Sequence, residues 1–255
     1  MTKRSTENPW LVFFEPRAEA ALRLFCLPYA GGSANIFRHW AKRLPAETEV
    51  CGVQLPGRGG RLMEPPYTRL EPLIQILARE LLPYFDKPFA VFGHSLGALL
   101  IFELVHHLRR EYQIEPCRMF VSGRRPPQIP DDAPSHQLPE SEFLADLRRL
   151  NGTPKEILEH SELMDLMLPV IRADFAINEK YQYSARPPFT FPLTVFGGTE
   201  DENVGRDLLV AWSVHTTEEL TLHMIPGDHF FIDSQQRLLL DLISRELQMA
   251  ISSIS

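Results

Sequence analysis

The chain of 255 residues holds only 3 cysteines, and Cys26, Cys51 and Cys117 cannot all pair within one chain. Each lies in or beside an apolar run. A disulfide scaffold is excluded, and the expectation is buried, reduced thiols in a cytoplasmic protein. No apolar run approaches the length of a membrane span. The start, Met1 to Pro9, is polar and carries Lys3, Arg4 and Glu7 with no apolar run behind them, so no signal peptide is expected. Lysine blocks and basic amphipathic helices are missing as well. With a formal net charge of −7, neither nucleic acid nor a membrane surface is an expected partner. The 9 histidines form no H-E-x-x-H spacing or ligand cluster, so no metal is expected. Internal repeats and low-complexity stretches are absent too.

What remains is the composition of an ordinary globular protein. Hydrophobic residues make up 44% and charged residues 23%, which excludes a disordered chain, and the length suits one large α/β domain. Short apolar runs read as strands: Leu22–Leu27, Glu49–Leu55, Phe89–Phe92, Met119–Ser122, Leu193–Phe196 and Leu220–Met224. Continuous apolar character in such short runs fits strands covered on both faces. Between them, apolar spacing near 3.6 predicts helices over Ile36–Leu44, Leu70–Leu82 and Leu96–Leu108, with a last one over Gln235–Met249. Strand–helix alternation predicts a mostly parallel central sheet with helices on both faces.

One region breaks that rhythm. A loop bearing Pro126, Pro127, Pro130, Pro134 and Pro139 leads to helical patterns at Glu140–Leu150, Pro154–Glu159 and Leu163–Tyr181. No strand is expected there. The reading is a single domain over residues 1–255 with a helical lid inserted at about 124–188.

The segment that carries chemistry is Gly93-His94-Ser95-Leu96-Gly97. A G-x-S-x-G pattern alone arises by chance in roughly a tenth of chains this long, given ordinary glycine and serine usage. Here an apolar strand runs into it and a helix leaves it, the setting in which a tight turn lifts a serine above the sheet edge. A serine hydroxyl needs a base to take its proton. In this architecture an acid and then a histidine follow, each after its own strand. Asp201 after Leu193–Phe196 is the preferred acid, with Glu200 the alternative, and His229 after Leu220–Met224 is the base. The developing oxyanion needs N–H donors. Leu96, at the start of the helix, is one candidate. Ala30, in the glycine-bearing loop Pro28-Tyr-Ala-Gly-Gly-Ser33, is the other. Gly57-Arg-Gly-Gly-Arg61 lacks the G-K-[ST] ending of a phosphate loop and reads as a turn.

Taken together, Pro28-Tyr-Ala-Gly-Gly32, Gln54-Leu-Pro-Gly-Arg58, Gly93-His-Ser-Leu-Gly97, Gly197-Gly-Thr-Glu-Asp201 and Gly227-Asp-His-Phe-Phe231 resemble the stand-alone type II thioesterases of nonribosomal peptide and polyketide assembly lines. The likeness runs from about Leu22 to the last helix. It implies an α/β-hydrolase fold with a helical lid, and hydrolysis of stalled or aberrant acyl groups from the phosphopantetheine arm of carrier proteins. By position it makes Ser95 the nucleophile, Asp201 the acid, His229 the base, and Ala30 and Leu96 the oxyanion donors. Asp228 stands where the family often has a second glycine, which adds a carboxylate near the base. No cofactor is implied beyond the arm that the partner brings. The expected partners are acyl or peptidyl carrier proteins, and the expected state is a monomer. Two other readings stand beside this one: a medium-chain thioesterase acting on fatty acid synthase, and a non-catalytic carrier-binding protein on a hydrolase scaffold. Apolar lid residues, Phe143, Leu144, Leu147, Leu163, Met164, Leu166, Met167 and Phe175, either line an acyl channel or pack. Carrier docking is expected at one or both of two arginine pairs, Arg124-Arg125 and Arg148-Arg149.

Overall fold

In the computed structural model, which describes residues 8–130, 134–150 and 160–254, the short apolar runs pair into one seven-stranded sheet. Its strands are β1 (Leu11–Val12), β2 (Leu22–Leu27), β3 (Thr48–Val53), β4 (Phe89–His94), β5 (Arg118–Ser122), β6 (Leu193–Gly198) and β7 (Leu220–Ile225). They stand in the order β1-β3-β2-β4-β5-β6-β7. Every pairing among β2 to β7 is parallel, while β1 runs antiparallel to β3 with Leu11 opposite Val53. The two-residue β1 is too short to show a period in sequence.

Side chains of a strand point alternately to opposite faces, and the two apolar layers follow that alternation. Phe25, Val91, Met119, Val121 and Val195 face one layer, with helices α1 (Leu70–Leu81) and α2 (Leu96–Tyr112) packed over them. Leu24, Cys26, Phe92, Phe120 and Phe196 face the other. On this second face lie α6 (Phe231–Ser234) and α7 (Gln236–Ile254), which closes the layer with Leu239, Leu240, Ile243 and Leu247, while the short α5 (Arg206–Val210) adds Leu209 to the first layer. The fold class is the α/β arrangement expected: a mostly parallel sheet covered on both faces. Arg23, inside the first apolar run, is fully buried and donates from Nε to Glu49 at 2.8 Å.

One helix forms differently. Residues Ile36–Leu44 make two short 3₁₀ turns, Ala34–Phe37 and Trp40–Lys42. At three residues per turn, positions i and i+3 line up. Phe37 and Trp40 thus meet edge-on at 4.9 Å and both press on Phe92 of β4. Tertiary packing of two aromatics outweighs the 3.6 spacing.

Between β5 and β6 lie α3 (Glu140–Leu150) and α4 (Ser161–Glu179). They share a small apolar cluster of their own, Phe143, Leu147, Met164, Leu168 and Ile171, with Leu144, Met167 and Phe175 packed against it. Leu163 and Leu166 stay exposed. Packing thus accounts for six of the eight apolar residues singled out in this region. The helix expected at Pro154–Glu159 lies outside the described residues.

Candidate active site

The order of the strands itself marks a place for a site. From β2 the chain moves outward to β3, then returns to pair β4 on the other side of β2. Loops leaving the carboxyl ends of β2 and β4 diverge there and open a crevice. Those loops are Pro28–Ser33 and the turn at Ser95.

That turn is one residue long: β4 ends at His94 and α2 begins at Leu96. Ser95 takes φ 54° and ψ −115°, a region that costs a residue with a side chain on the order of 1–3 kcal/mol. Its N–H donates to the Ser122 carbonyl at 2.8 Å, and its own carbonyl accepts from Ala98 at 3.0 Å. The flanking glycines answer to the tightness of this bend. A Cβ at Gly93 would stand 2.2 Å from the Gly97 carbonyl oxygen, and one at Gly97 would stand 2.2 Å from that of Leu27. Backbone cannot yield by such amounts, so a side chain is barred at both positions. The Ser95 side chain is half-buried at the crevice.

His229 and Asp201 arrive from the neighbouring strand ends. The loops after β6 and β7 are joined by backbone bonds from Thr199 N–H to Ile225 O and from Glu200 N–H to Gly227 O, both 2.9 Å. This brings His229 Nδ1 to 2.7 Å from Asp201 Oδ2. Asp201 Oδ1 accepts from the N–H groups of Asn203 and Val204 at 3.0 and 3.2 Å. Burial opposes the charge on Asp201, but the hydrogen bond and charge of His229 and these two N–H donors outweigh it. Its carboxyl is held below the ordinary carboxylate range. The imidazole packs on His94 at 5.1 Å between ring centres, next to the serine turn. Of the other acids considered, Glu200 is exposed, and Asp228 Oδ1 accepts from the Phe230 N–H at 2.8 Å.

The two oxyanion candidates stand on the segments that follow β4 and β2. Leu96 opens α2, where the first N–H groups have no partner inside the helix. Ala30 is half-buried in a turn closed by a 2.9 Å bond from Gly32 N–H to Tyr29 O.

Several participants were invisible in the sequence. His94 is fully buried and bonds Ser122 Oγ through Nδ1 at 2.8 Å. Burial, with His229 nearby, pushes its pKa well below the usual histidine value, so it stays neutral. Gly57–Arg61 is a turn, as its composition suggests, yet both of its arginines are buried. Arg58 forms a two-pronged ion pair with Asp174 of α4, at 2.5 and 2.9 Å. Arg61 lies 3.9 Å over the Trp10 ring. A lone carboxylate among Val170, Ile171, Ala173 and Phe175 was the available signal for Asp174. The docking expectation at Arg124-Arg125 fails for its first member. Arg124 is buried, donates to Asn178 Oδ1, and its carbonyl accepts from Trp212 Nε1. Arg148 is exposed, and the Arg149 side chain lies outside the described ones.

Comparison with known proteins adds an independent line. The thioesterase domain family matches residues 22–247. The linear gramicidin dehydrogenase LgrE of Brevibacillus parabrevis is 48% identical, over 94% of this chain and 92% of that one. The gramicidin S biosynthesis protein GrsT of Aneurinibacillus migulanus is 42% identical over 99% of both chains. Among solved structures, the RedJ thioesterase of the prodiginine biosynthetic pathway in Streptomyces coelicolor superposes with a TM-score of 0.84 at 38% identity. That match covers 91% of this chain and 87% of the other.

Proposed function

The chain belongs to the thioesterase family, and from that premise we propose that it is a stand-alone editing hydrolase of an assembly line. Its substrates are acyl groups, stalled or aberrant, on the phosphopantetheine arm of acyl or peptidyl carrier proteins in nonribosomal peptide or polyketide synthesis. The observation that carries this reading is the 2.7 Å contact of His229 Nδ1 with Asp201, set beside a serine in a strained turn at the sheet's crevice. The near-complete coverage of two relatives of similar length supports the stand-alone form.

With Nδ1–H given to Asp201, Nε2 is the lone-pair nitrogen left to act as base. Ser95 Oγ attacks the thioester carbonyl carbon as Nε2 takes its proton. The oxyanion meets the N–H groups of Ala30 and Leu96. Collapse breaks the C–S bond, and the sulfur leaves as a thiol of pKa near ~8.5, taking from His229 the proton that came from Ser95, with little acid assistance needed. Water, deprotonated by His229, then releases the free acid and restores Ser95. These side chains and water suffice, so no added cofactor or metal enters the proposal. We assign the reaction to one copy of the chain in the cytoplasm. Reduced thiols at Cys26, Cys51 and Cys117 accord with that compartment. The insertion acts as the lid: α4 reaches the loop after β2, at the carboxyl edge of the sheet.

The test offers the purified chain acylated carrier proteins of graded chain length and follows free thiol. Release from carriers, lost in Ser95→Ala, is expected. A sharp preference for medium fatty chains on fatty acid synthase would move the substrate class instead. Failure of a fluorophosphonate to label Ser95 would leave a binding protein. Since one relative is called a dehydrogenase, oxidation of a reduced nicotinamide is followed in parallel, with no change expected.

A further inference from the structure

Asp174 is the one side chain of the insertion that touches the backbone of the loop after β2 by a hydrogen bond among the described residues. Its Oδ2 accepts from the Gly31 N–H at 2.7 Å. The same carboxylate is gripped by Arg58 Nη1 and Nη2, and Arg58 Nε donates to the Pro56 carbonyl at 3.2 Å. Both side chains are buried to within 2% of complete. Two buried charges gain little net stability over apolar side chains of the same volume, so the use of this pair lies elsewhere.

Its target is the oxyanion loop. Tyr29 O accepts from Gly32 N–H, and Gly31 stands at φ +74°, which together define a type II turn with Ala30 and Gly31 at its centre. A type I turn would rotate the Ala30–Gly31 peptide over. The Ala30 carbonyl would then point at the Asp174 carboxylate, where the Gly31 N–H now points. The carboxylate thus selects the observed form. A second contact limits the loop: a Cβ at Gly31 would stand 2.9 Å from Ile171 Cγ1, also on α4.

We propose that Asp174, held by Arg58, is a positioning residue that anchors the turn through its Ala30–Gly31 peptide and so fixes the place of the adjoining Tyr29–Ala30 peptide, whose Ala30 N–H is the oxyanion donor. This rests on the hydrolase reading above and adds to it that α4 is part of the transition-state machinery. The lid and the oxyanion hole are then one mechanical unit.

Two double variants isolate the clamp. Asp174→Asn with Arg58→Gln removes both charges and keeps an amide oxygen that can accept from Gly31. Asp174→Leu with Arg58→Met removes the acceptor at similar volume. Hydrolysis of an octanoyl thioester of N-acetylcysteamine and inhibition by an alkyl boronic acid, a tetrahedral adduct former at serine, are measured on each. The apolar pair should lose about 30-fold or more in kcat, with KM within about twofold, because a misplaced oxyanion donor costs the transition state rather than the bound substrate. Boronate affinity should fall by the same factor. The amide pair should lose no more than about fivefold. Equal kcat in the two pairs, or a loss residing in KM with boronate affinity unchanged, overturns the clamp. Should the apolar pair not fold, Asp174→Ala with Arg58→Gln removes the acceptor by a milder change and supplies the same split between kcat, KM and boronate affinity. Fluorophosphonate labelling of Ser95 separates the two failures. An unlabelled native enzyme defeats the hydrolase reading, whereas labelling with no kcat difference defeats the clamp alone.

Discussion

The sheet body and the helical insertion are built on different terms. The body sandwiches whole strands between two apolar layers, and the groups proposed to react, Ser95, Asp201 and His229, follow the ends of β4, β6 and β7. The insertion buries five residues of α3 and α4 in a cluster of its own. It is fastened to the body by Ile177 and by polar links: Asp174 to Arg58 and Gly31, Asn178 to Arg124, and Tyr181 to Glu103. These fastenings fall at and beyond the carboxyl half of α4, while Leu163 and Leu166 in its amino half stay exposed. Apolar layering in the body and largely polar fastening of the insertion are thus segregated along the chain. Changes in the body should strike chemistry and global stability. Changes in the insertion, Asp174 aside, should act locally.

The sharpest contrast comes from the reacting residues of the body. Ser95→Ala should remove thioesterase turnover by about 10⁴-fold or more while the melting temperature stays near that of the native protein. Near-normal turnover in a folded variant would end the assignment. Next comes the acid. Asp201→Asn should cost about 10³–10⁴-fold in kcat by disturbing the His229 tautomer, whereas Glu200→Gln and Asp228→Asn should stay within a few-fold. If Glu200→Gln were the most damaging, the acid would be the neighbouring residue.

Two paired truncations test the segregation directly. Phe120→Ala opens a cavity between the sheet and α7 and should cost about 3–5 kcal/mol of global stability, read by chemical denaturation. Phe143→Ala makes a similar cavity in the small cluster. Hydrogen exchange should speed up over α3 and the first half of α4 while β4 and β5 keep their protection. An equal fall in global stability for both variants would show that body and insertion unfold together.

The smallest effect is set by pH. His215 lies against Phe102 and Trp212, with Nε2 bonded to Gln128. Burial, helped by Arg186, lowers its pKa to about 4. The unfolded chain takes up that proton near ~6.5, so this stabilisation is complete above that pH and is lost as pH falls towards 4. His106, at about 3, acts in the same sense. In His215→Gln the decline of stability between pH 6.5 and 4 should be shallower, by denaturation at a series of pH values. An unchanged slope would assign the decline to other groups.

Much of the fold and of the site is legible in the order of residues alone. Leu22–Leu27 reads as a strand with unchanged bounds because covered strands need continuous apolar side chains, and α1 and α2 follow from their leucine spacing. The order serine, acid, histidine could be placed because each follows a strand whose end is marked by glycine or proline. Helix expectation failed at Ile36–Leu44 because Phe37 and Trp40 answer to Phe92, which lies far along the chain. Arg124 read as a surface charge, since nothing local shows that Asn178 and Trp212 enclose it.

By itself the sequence determined the parallel sheet, the turn at Ser95 and which residues are proposed to react, because periodicity and steric limits on glycine are local properties. Tertiary structure alone decided which carboxylate meets His229, since Glu200 and Asp201 are adjacent and only the joining of the β6 and β7 loops turns one inward. It also decided that Arg58 and Asp174, 116 positions apart, form one buried pair beneath the oxyanion loop. A charge in water and a charge in a buried pair look the same in a sequence. Only the folded chain brings the partner that makes burial tolerable.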